Sequence, residues 1–242
     1  MELRGRRALV TGAGIRVGRV IAHALMRKGI HVAIHYRHSD HGARQTAVEG
    51  ETMGCQVALL QADLGDAAAA QGLAARAAQA LGGLDILVNS AAVMEEQAMP
   101  EVTPDDWDRT MNLNLRAPFF VAQGAVRAMG SAGGVIVNIA DLAAFERWTG
   151  YAVHCISKAG VVVMTELMAK AFAPEVRVNA IAPGAVLLPD DWDEATRRRF
   201  AESTPLKRLG SAQDVASAVL YLLENDYVTG ETLVVDGGRR IR

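Results

Sequence analysis

The chain has 242 residues, half of them hydrophobic, and a formal net charge of −2 at pH 7, which suits one large α/β domain with a sizeable core. Its Lys and Arg residues are dispersed, so it lacks the basic surface that nucleic acid requires, and we see no apolar run of transmembrane length and no signal peptide. Cys55 and Cys155 lie far apart without metal-ligand spacing, as free thiols of a reducing compartment do. We therefore expect a soluble cytoplasmic protein that binds no nucleic acid, membrane or metal ion.

Apolar runs of strand length alternate with longer helical patterns along the whole chain. The predicted strands are residues 7–10, 31–36, 56–62, 84–89, 134–140, 176–181 and 232–236. The predicted helices are residues 16–28, 40–53, 66–80, 103–129, 150–173 and 211–223, with Asp40 as the N-cap of the second, and residues 183–210 are irregular around one short helix. Such alternation predicts a parallel sheet with helices on both faces, the doubly wound α/β class. We expect one domain over residues 1–242.

A glycine-containing segment, TGAGIRVG at residues 11–18, follows the first predicted strand. Gly12 and Gly18 allow the backbone to come close to a pyrophosphate, whose charge the amides and dipole of the next helix stabilise. Because this segment lies directly between a strand and a helix, its glycine pattern predicts a dinucleotide-binding loop.

The second predicted strand ends at Tyr36, and Arg37, His38 and Ser39 follow it. In dinucleotide-binding domains an acidic residue at this place accepts bonds from the NAD ribose, whereas a basic residue accommodates the 2′-phosphate of NADP. No acidic residue precedes Asp40 here. The segment therefore predicts NADP(H) as the cofactor.

Three chemically active side chains follow the fifth predicted strand. Asp141 comes directly after it, and thirteen residues later His154 stands four positions before Lys158. Side chains at positions i and i+4 of a helix share a face, so the imidazole and the ammonium project to the same side. The carboxyl end of a parallel strand lies at the crevice where open α/β sheets bind ligands. The spacing therefore predicts that the three side chains converge on one bound molecule; the alternative is a surface Asp, a His at the edge of the core and a solvated Lys.

Several segments, in this order along the chain, carry a family resemblance. They are residues 11–18 (TGAGIRVG), 62–64 (ADL), 89–92 (NSAA), 114–120 (NLRAPFF), the helix of Lys158, 178–184 (VNAIAPG) and 228–238 (VTGETLVVDGG). On these segments the chain resembles the short-chain dehydrogenase/reductase family over essentially its full length. The resemblance implies a Rossmann-type fold and hydride transfer with a nicotinamide cofactor. It also implies further cofactor contacts by Arg16, Val17, Asp63, Leu64, Asn89, Ala91, Lys158, Pro183, Gly184 and Val186.

The resemblance also implies roles for the residues around Lys158. In the family a Tyr four residues before this Lys exchanges a proton with the substrate, a Ser thirteen residues before the Tyr orients the substrate, and an Asn, here Asn114, anchors a water relay. This chain has His154 in the place of the Tyr and Asp141 in the place of the Ser. Asp at that position, and Arg16 in the pattern TGxxxRxG, resemble the pteridine reductases, and this Arg can bond both the pyrophosphate and the substrate.

The replacement of Tyr by His leaves the proton donor open. His154 can itself exchange the proton, because an imidazole titrates near neutral pH. Alternatively, Asp141 protonates the substrate directly with His154 as a spacer, or Tyr151 supplies a hydroxyl from one helical turn earlier. A fourth interpretation is that catalysis has been lost while the fold is retained.

The predicted substrate side consists of Arg16, Met94, Tyr151, Leu188 and Trp192, the last two in a segment, residues 186–200, that by family resemblance covers the substrate. The pterin resemblance weakens at Ala92 and Met94, which replace a Ser and a stacking Phe of the pteridine reductases. We predict an NADPH-dependent reductase of a C=O or C=N bond in a small, pterin-like or other planar substrate. The alternatives are a 3-oxoacyl or general carbonyl reductase and a catalytically impaired NADP(H)-binding sensor or partner protein.

The two longest predicted helices are apolar on more than one face. Phe119, Phe120 and Val121 lie on the helix at 103–129, and residues 161–164 (VVVM) lie on the helix at 150–173. A helix that is apolar all round is buried all round, so one face packs on the sheet and the other requires a partner. With the family resemblance, this predicts a homotetramer or homodimer built on these two helices.

Overall fold

Seven parallel strands form one sheet in the computed structural model, which describes residues 1–186 and 193–241. The sheet order is β3-β2-β1-β4-β5-β6-β7, so the chain runs from β1 to one edge, crosses back to β4 and continues to the other edge. The predicted doubly wound α/β fold is confirmed. The strands are β1 (Arg7–Val10), β2 (His31–Tyr36), β3 (Val57–Gln61), β4 (Ile86–Asn89), β5 (Gly134–Ile139), β6 (Val176–Pro183) and β7 (Thr232–Val235).

Helices cover both faces of this sheet. They are α1 (Arg16–Arg27), α2 (Asp40–Thr52), α3 (Ala67–Leu81), α4 (Pro104–Met111), α5 (Ala117–Met129), α6 (Ala152–Phe172), α7 (Glu194–Glu202) and α8 (Ala212–Glu224). The strand period of two assigns neighbouring side chains to opposite faces: Val10 of β1 packs in the core with α1, α2 and α8, whereas Leu9 packs with α3, α5 and α6. The predicted short helix within residues 183–210 is α7.

The helix predicted at residues 103–129 is interrupted by a π-helical turn, Asn112–Arg116, between α4 and α5. Pro118 lies one residue inside α5 and has no N–H to donate to the carbonyl of Asn114, so an α-helical ladder cannot continue there. Such π-turns are frequent at functional sites. This one contains Asn114, whose side chain is buried.

The start of α2 differs from the expectation that Asp40 is its N-cap. The N-cap residue is Ser39, which makes no side-chain capping bond, and Asp40 is the first helical residue. The carboxylate of Asp40 instead accepts hydrogen bonds from the Tyr36 hydroxyl at 2.8 Å and from the Arg44 guanidinium at 2.7 Å. These bonds fix the end of β2 against α2.

Helix α6 corrects the expectation that no apolar run reaches transmembrane length. Among the described residues it is the one helix that meets the length and composition of a span, with 21 residues and a mean hydropathy of 1.4. However, 56% of its most apolar 18-residue stretch is buried inside the protein. Val161, Met164 and Met168 pack there in the core beneath the sheet. Helix α6 therefore has the character of a core helix of a soluble protein.

Candidate active site

The glycine segment after β1 has the geometry of a phosphate-binding loop. Gly12 has a positive φ of +68°, and a Cβ on it would lie 3.0 Å from Cα of Ala91, in the loop after β4. A Cβ on Gly18 would collide with the carbonyl oxygen of Gly12. The loop is therefore packed so closely against α1 and the β4 loop that only glycine fits at either position, and the amides at the start of α1 lie beside it. A dinucleotide pyrophosphate fits this cradle.

Arg16 adopts a conformation that glycine would adopt more easily. Its φ is +54°, in the left-handed region that costs a non-glycine residue about 1–2 kcal/mol. Val17 follows it in the first turn of α1. An arginine kept at a strained position beside a phosphate-binding loop points to a function of its side chain, in agreement with its predicted contacts to pyrophosphate and substrate.

The end of β2 forms the second wall of the same cleft. Arg37 and His38 are exposed, and the side chain of Ser39 occupies the space that a Cβ on Gly14 would need. The Arg37 guanidinium pairs with Asp63 Oδ2 at 2.8 Å. Unlike Arg37 and His38, Tyr36 has a buried ring, and its hydroxyl donates a hydrogen bond to Asp40.

The loops after β3 and β4 complete the cofactor side. Asp63 accepts a bond from the amide of Gly65 at 2.9 Å, and Leu64 is buried. Asn89 is also buried, and its amide donates to Asn138 Oδ1 of β5 at 2.9 Å. Sequence reasoning missed Thr11, whose Oγ1 accepts bonds from the amides of Ser90 and Ala91 at 2.9 and 3.0 Å.

The predicted nicotinamide contacts follow β6. Pro183 is the last residue of that strand, and the amide of Gly184 donates to the carbonyl of Val235 at 2.9 Å. A Cβ on Gly184 would lie 2.8 Å from Cβ of Asp236. The amide of Val186 then bonds the carbonyl of Gly184 at 2.9 Å. This turn is therefore held tightly against β7, at the same carboxyl edge of the sheet as the glycine loop.

His154 lies in the first turn of α6 and is 4% exposed. Its Nδ1 atom is 3.1 Å from the carbonyl oxygen of Val93, and because a carbonyl can only accept, Nδ1 carries a proton. Its Nε2 atom is buried without a hydrogen-bond partner in the part of the chain that the structure describes. Oδ2 of Asp141 lies 3.8 Å from it. Nε2 is thus the ring atom left to exchange a proton.

Asp141 holds its carboxylate in a fixed orientation at the end of β5. Its Oδ1 accepts a bond from the amide of Ala143 at 2.8 Å, which caps a short 3₁₀ helix, Leu142–Ala144. Its Oδ2 points towards the Nε2 atom of His154. A single substrate atom can lie within a hydrogen-bond distance of about 2.8 Å from both Oδ2 and Nε2. The geometry therefore brings the predicted pair together around one position.

Lys158 lies one turn further along α6 and is buried. Its Nζ donates to the carbonyl of Ile139, the last residue of β5, at 2.8 Å. Burial lowers the pKa of Lys158 to about 8, and the negative charge of Asp141 partly offsets this effect. The ammonium thus lies within the electrostatic influence of the Asp141 carboxylate and on the same helix face as the imidazole.

Asn114 organises the segment that carries the Val93 carbonyl. Its Oδ1 accepts a bond from the Val93 amide at 2.9 Å, and its Nδ2 donates to the Val93 carbonyl at 2.8 Å and to Ser157 Oγ at 3.2 Å. Its Nδ2 is also 3.5 Å from Nδ1 of His154, at the limit of a hydrogen bond. The roles of Val93 and Ser157 were not predicted, because a backbone carbonyl carries no sequence signal.

Tyr151 is directed away from the His154–Asp141 pair. Its hydroxyl donates to Glu96 Oε2 at 3.0 Å, and its ring contacts Trp148 edge-to-face. This commitment makes Tyr151 the weakest of the three predicted proton donors. Met94 is about half exposed in the loop after β4. Leu188 and Trp192, also predicted on the substrate side, lie outside the described residues.

The C-terminal turn packs over the loop between Asp141 and Tyr151. The Arg239 guanidinium lies 4.5 Å from the ring centroid of Phe200 at the end of α7, and it pairs with Glu146 at 3.3 Å. Trp148 Nε1 donates to the same Glu146 oxygen at 2.7 Å. These contacts were not predicted, and they connect α7 with the loop beside Asp141.

Known proteins resemble this chain over its whole length. The protein-family profile described as Enoyl-(Acyl carrier protein) reductase matches residues 12–240. The L-rhamnose 1-dehydrogenase (NAD(P)(+)) of Sphingomonas sp. (strain SKA58) is 33% identical, covering 98% of this chain and 96% of its own.

Solved structures also match this chain over nearly its full length. A short chain dehydrogenase from Burkholderia cenocepacia J2315, in complex with NADP, has a TM-score of 0.92 and 32% identity, covering 99% of both chains. The FolM alternative dihydrofolate reductase 1 from Brucella canis, complexed with NADP, has a TM-score of 0.94 and 29% identity, covering 100% of this chain and 96% of its own.

Proposed function

The chain belongs to the short-chain dehydrogenase/reductase family, and from that premise we propose that it is an NADPH-dependent reductase of a C=O or C=N bond in which His154 and Asp141 replace the usual Tyr and Ser. An NAD(P)-dependent oxidoreductase activity follows from membership of this family. The observation that carries the proposal is the buried Nε2 of His154, which has no hydrogen-bond partner among the described residues and lies 3.8 Å from Asp141 Oδ2.

His154 is the proton donor in this proposal. When bound, the nicotinamide supplies a hydride to the substrate carbon. The imidazolium of His154 gives its Nε2 proton to the substrate oxygen or nitrogen and becomes a neutral ring that keeps the proton on Nδ1. The Val93 carbonyl, 3.1 Å from Nδ1, accepts a bond from that ring nitrogen in both states. The imidazole therefore does not have to turn during the reaction.

Asp141 favours one kind of reacting atom. A carboxylate oxygen accepts hydrogen bonds and repels another lone pair, so it stabilises an N–H group or a protonated C=N nitrogen more than a bare carbonyl oxygen. This preference supports a pterin-like or other planar substrate with a C=N bond. The similarity to a FolM alternative dihydrofolate reductase supports the same class. Arg16 and Met94 would line that substrate.

NADP(H) is the proposed cofactor. The exposed Arg37 and His38 stand with Ser39 at the end of β2, where no acidic residue is present to bond an NAD ribose. Two similar structures were solved with NADP. Asp63 and Leu64 would contact the adenine, Asn89 and Ala91 the cofactor ribose, Lys158 the nicotinamide ribose, and residues 183–186 the nicotinamide amide.

We also propose a cytoplasmic homotetramer, or a homodimer, in which a second copy covers the outer face of α5 and α6. A groove of about 680 Å³ runs along this face. Phe119, Val163 and Leu167 expose 43%, 55% and 64% of their surface there, and apolar side chains exposed together in one groove are typical of an interaction site. The groove is lined by Met111, Asn112, Leu115, Arg116, Phe119, Phe120, Ala159, Gly160, Val163, Met164, Leu167 and Met168.

Single-turnover oxidation of NADPH against pterins, cyclic imines, ketones and 3-oxoacyl thioesters tests the proposal. Turnover of a C=N substrate that is lost in His154→Ala supports it. Turnover of ketones or 3-oxoacyl thioesters alone selects a carbonyl reductase instead. Tight NADPH binding without turnover of any compound selects a catalytically impaired nucleotide-binding protein.

A further inference from the structure

His35 in the interior of the sheet bonds both loops of the nucleotide cleft. It lies on β2 between β1 and β3, and it is 2% exposed. The amide of Gly12 donates to its Nδ1 at 3.1 Å, and its Nε2 lies 3.2 Å from the carbonyl of Ala62. Gly12 belongs to the phosphate-binding loop, and Ala62 directly precedes the proposed adenine contact Asp63. We propose that His35 is a positioning residue that sets the width of this cleft.

The partners of His35 fix its protonation state. An amide N–H can only donate, so Nδ1 must be an unprotonated acceptor, and a carbonyl can only accept, so Nε2 must carry the proton. The neutral ring with Nε2–H is the one form that satisfies both bonds. A hydroxyl or an apolar side chain at this place cannot bridge both loops.

The backbone of His35 adds a second hydrogen bond to the glycine loop. Its carbonyl accepts a hydrogen bond from the amide of Ala13 at 2.9 Å. Two consecutive amides of the loop, those of Gly12 and Ala13, therefore both donate to His35. Those bonds orient the loop backbone that must come close to the pyrophosphate. His35 itself is covered by the loops, and so it acts through Gly12 and Ala62 and does not touch the nucleotide.

The surroundings keep the ring neutral. Burial lowers the pKa of His35 to about 4; Arg76 of α3 lowers it further, and the Ala62 hydrogen bond and Asp63 oppose the shift. Asp63 is paired with Arg37, so its effect on the ring is partly neutralised. Protonation would add a hydrogen on Nδ1 that collides with the Gly12 amide, and the chain avoids it at neutral pH.

A histidine on the same strand provides a matched control. His31, at the other end of β2, also accepts a bond on Nδ1, from the amide of Gln56 at 2.9 Å. It lies at the amino end of the sheet, away from the glycine loop. Loss of His31 should therefore remove a ring-to-backbone bond of the same kind without changing the nucleotide cleft.

The test compares His35→Leu, His35→Asn and His31→Leu by calorimetric titration with NADP⁺ and by thermal unfolding. We expect His35→Leu to raise the Kd for NADP⁺ at least about tenfold, because the bonds to Gly12 and Ala62 that set the spacing of the two loops are lost. His35→Asn, which keeps one donor and one acceptor, should recover part of this affinity. His31→Leu should bind NADP⁺ within about threefold of the wild type and should lose less Tm, because His31 is less buried than His35.

A second measurement covers the case in which His35→Leu does not fold. The ¹⁵N NMR spectrum of the wild-type ring should show an unprotonated Nδ1 and a protonated Nε2, and addition of NADP⁺ should shift both signals. A protonated Nδ1, or a folded His35→Leu variant that binds NADP⁺ as the wild type does, overturns the inference. The inference rests on the nucleotide site proposed above: a wild type that binds neither NADP⁺ nor NAD⁺ refutes the proposed function as well.

Discussion

The Nε2 atom of His154 lies 3.8 Å from Oδ2 of Asp141, too far for a direct hydrogen bond and near enough for both to bond one substrate atom. The opposite ring nitrogen is held by the Val93 carbonyl. The imidazole therefore presents one exchangeable proton position, and the carboxylate is placed to stabilise the charged ring.

His154→Ala should lower kcat by about 10²–10⁴-fold, the usual contribution of a general acid. The Kd for NADPH should remain nearly unchanged, because His154 contacts Val93 and not the glycine loop. Stopped-flow kinetics and fluorescence titration measure the two quantities, and His31→Ala, at the amino end of β2 and away from the glycine loop, serves as the control.

His154→Tyr restores the family's usual group and gives the sharper comparison. Loss of a turnover that the parent shows would mean that the imidazole is a working acid matched to its substrate. If the variant instead gains activity on ordinary ketones while the parent has none, the parent is a protein that has lost its reductase chemistry.

Asp141→Asn should lower kcat, because the amide keeps the shape of the carboxylate and removes the negative charge 3.8 Å from Nε2 of His154 that stabilises the imidazolium. Measurement of kcat between pH 5 and pH 9 tests this expectation. Coincident profiles of the variant and the wild type would show that the two side chains do not act as a pair.

Lys158 should make both stability and NADPH binding depend on pH. Its pKa is about 8 in the folded chain and near 10.4 in an unfolded one. Between these values the unfolded state binds more protons, so this group's contribution to stability rises with pH across the window and is unfavourable below pH 8. Lys158→Met should therefore raise the free energy of unfolding at pH 7 by up to about 3 kcal/mol.

The same variant separates stability from binding. Loss of the ammonium removes a charged donor from the nicotinamide ribose, so Lys158→Met should bind NADPH more weakly at pH 7 although it is more stable. In the wild type, affinity should decline above pH 8. Urea denaturation at pH 7 and pH 10 measures the stability, and NADPH titrations at the same pH values measure the affinity. An unchanged affinity in Lys158→Met would exclude Lys158 from the cofactor site.

Arg37 should determine the choice between NADPH and NADH. Its guanidinium is half exposed beside Asp63, where a 2′-phosphate can replace the carboxylate as its partner. We expect NADPH to bind at least about tenfold more tightly than NADH, a difference of about 1.4 kcal/mol, and Arg37→Asp to reverse the order. Arg127→Asp on α5 is the control of equal charge change, and equal Kd values in the wild type would contradict the prediction.

Leu167→Glu should break the assembly by placing a charge in the apolar groove between α5 and α6. The leucine is 64% exposed, and Val48 on α2, exposed to 58%, lies outside the groove. Light scattering at micromolar concentration should therefore show a tetramer or dimer for the wild type and for Val48→Glu, and a smaller species for Leu167→Glu. A monomeric wild type would remove the proposal.

Most strands and helices could be predicted from the sequence, because apolar periodicity and Gly or Pro boundaries are local properties of the chain. Every described strand ends within two residues of its prediction, whereas the π-helical turn at Asn112–Arg116 was not predicted. The i, i+4 spacing put His154 and Lys158 on one helix face, and the strand end put Asp141 near His154.

Which atoms of these side chains are free to react depends on contacts between distant parts of the chain. The ring of His154 is oriented by a carbonyl 61 residues earlier, and His35 is held by backbone groups 23 and 27 residues away. The burial of the Tyr36 ring and the bond from Tyr151 to Glu96 could not be predicted from the sequence either. Backbone groups are the same in every residue, so their meeting depends on the crossover path of the chain and leaves no pattern in the sequence.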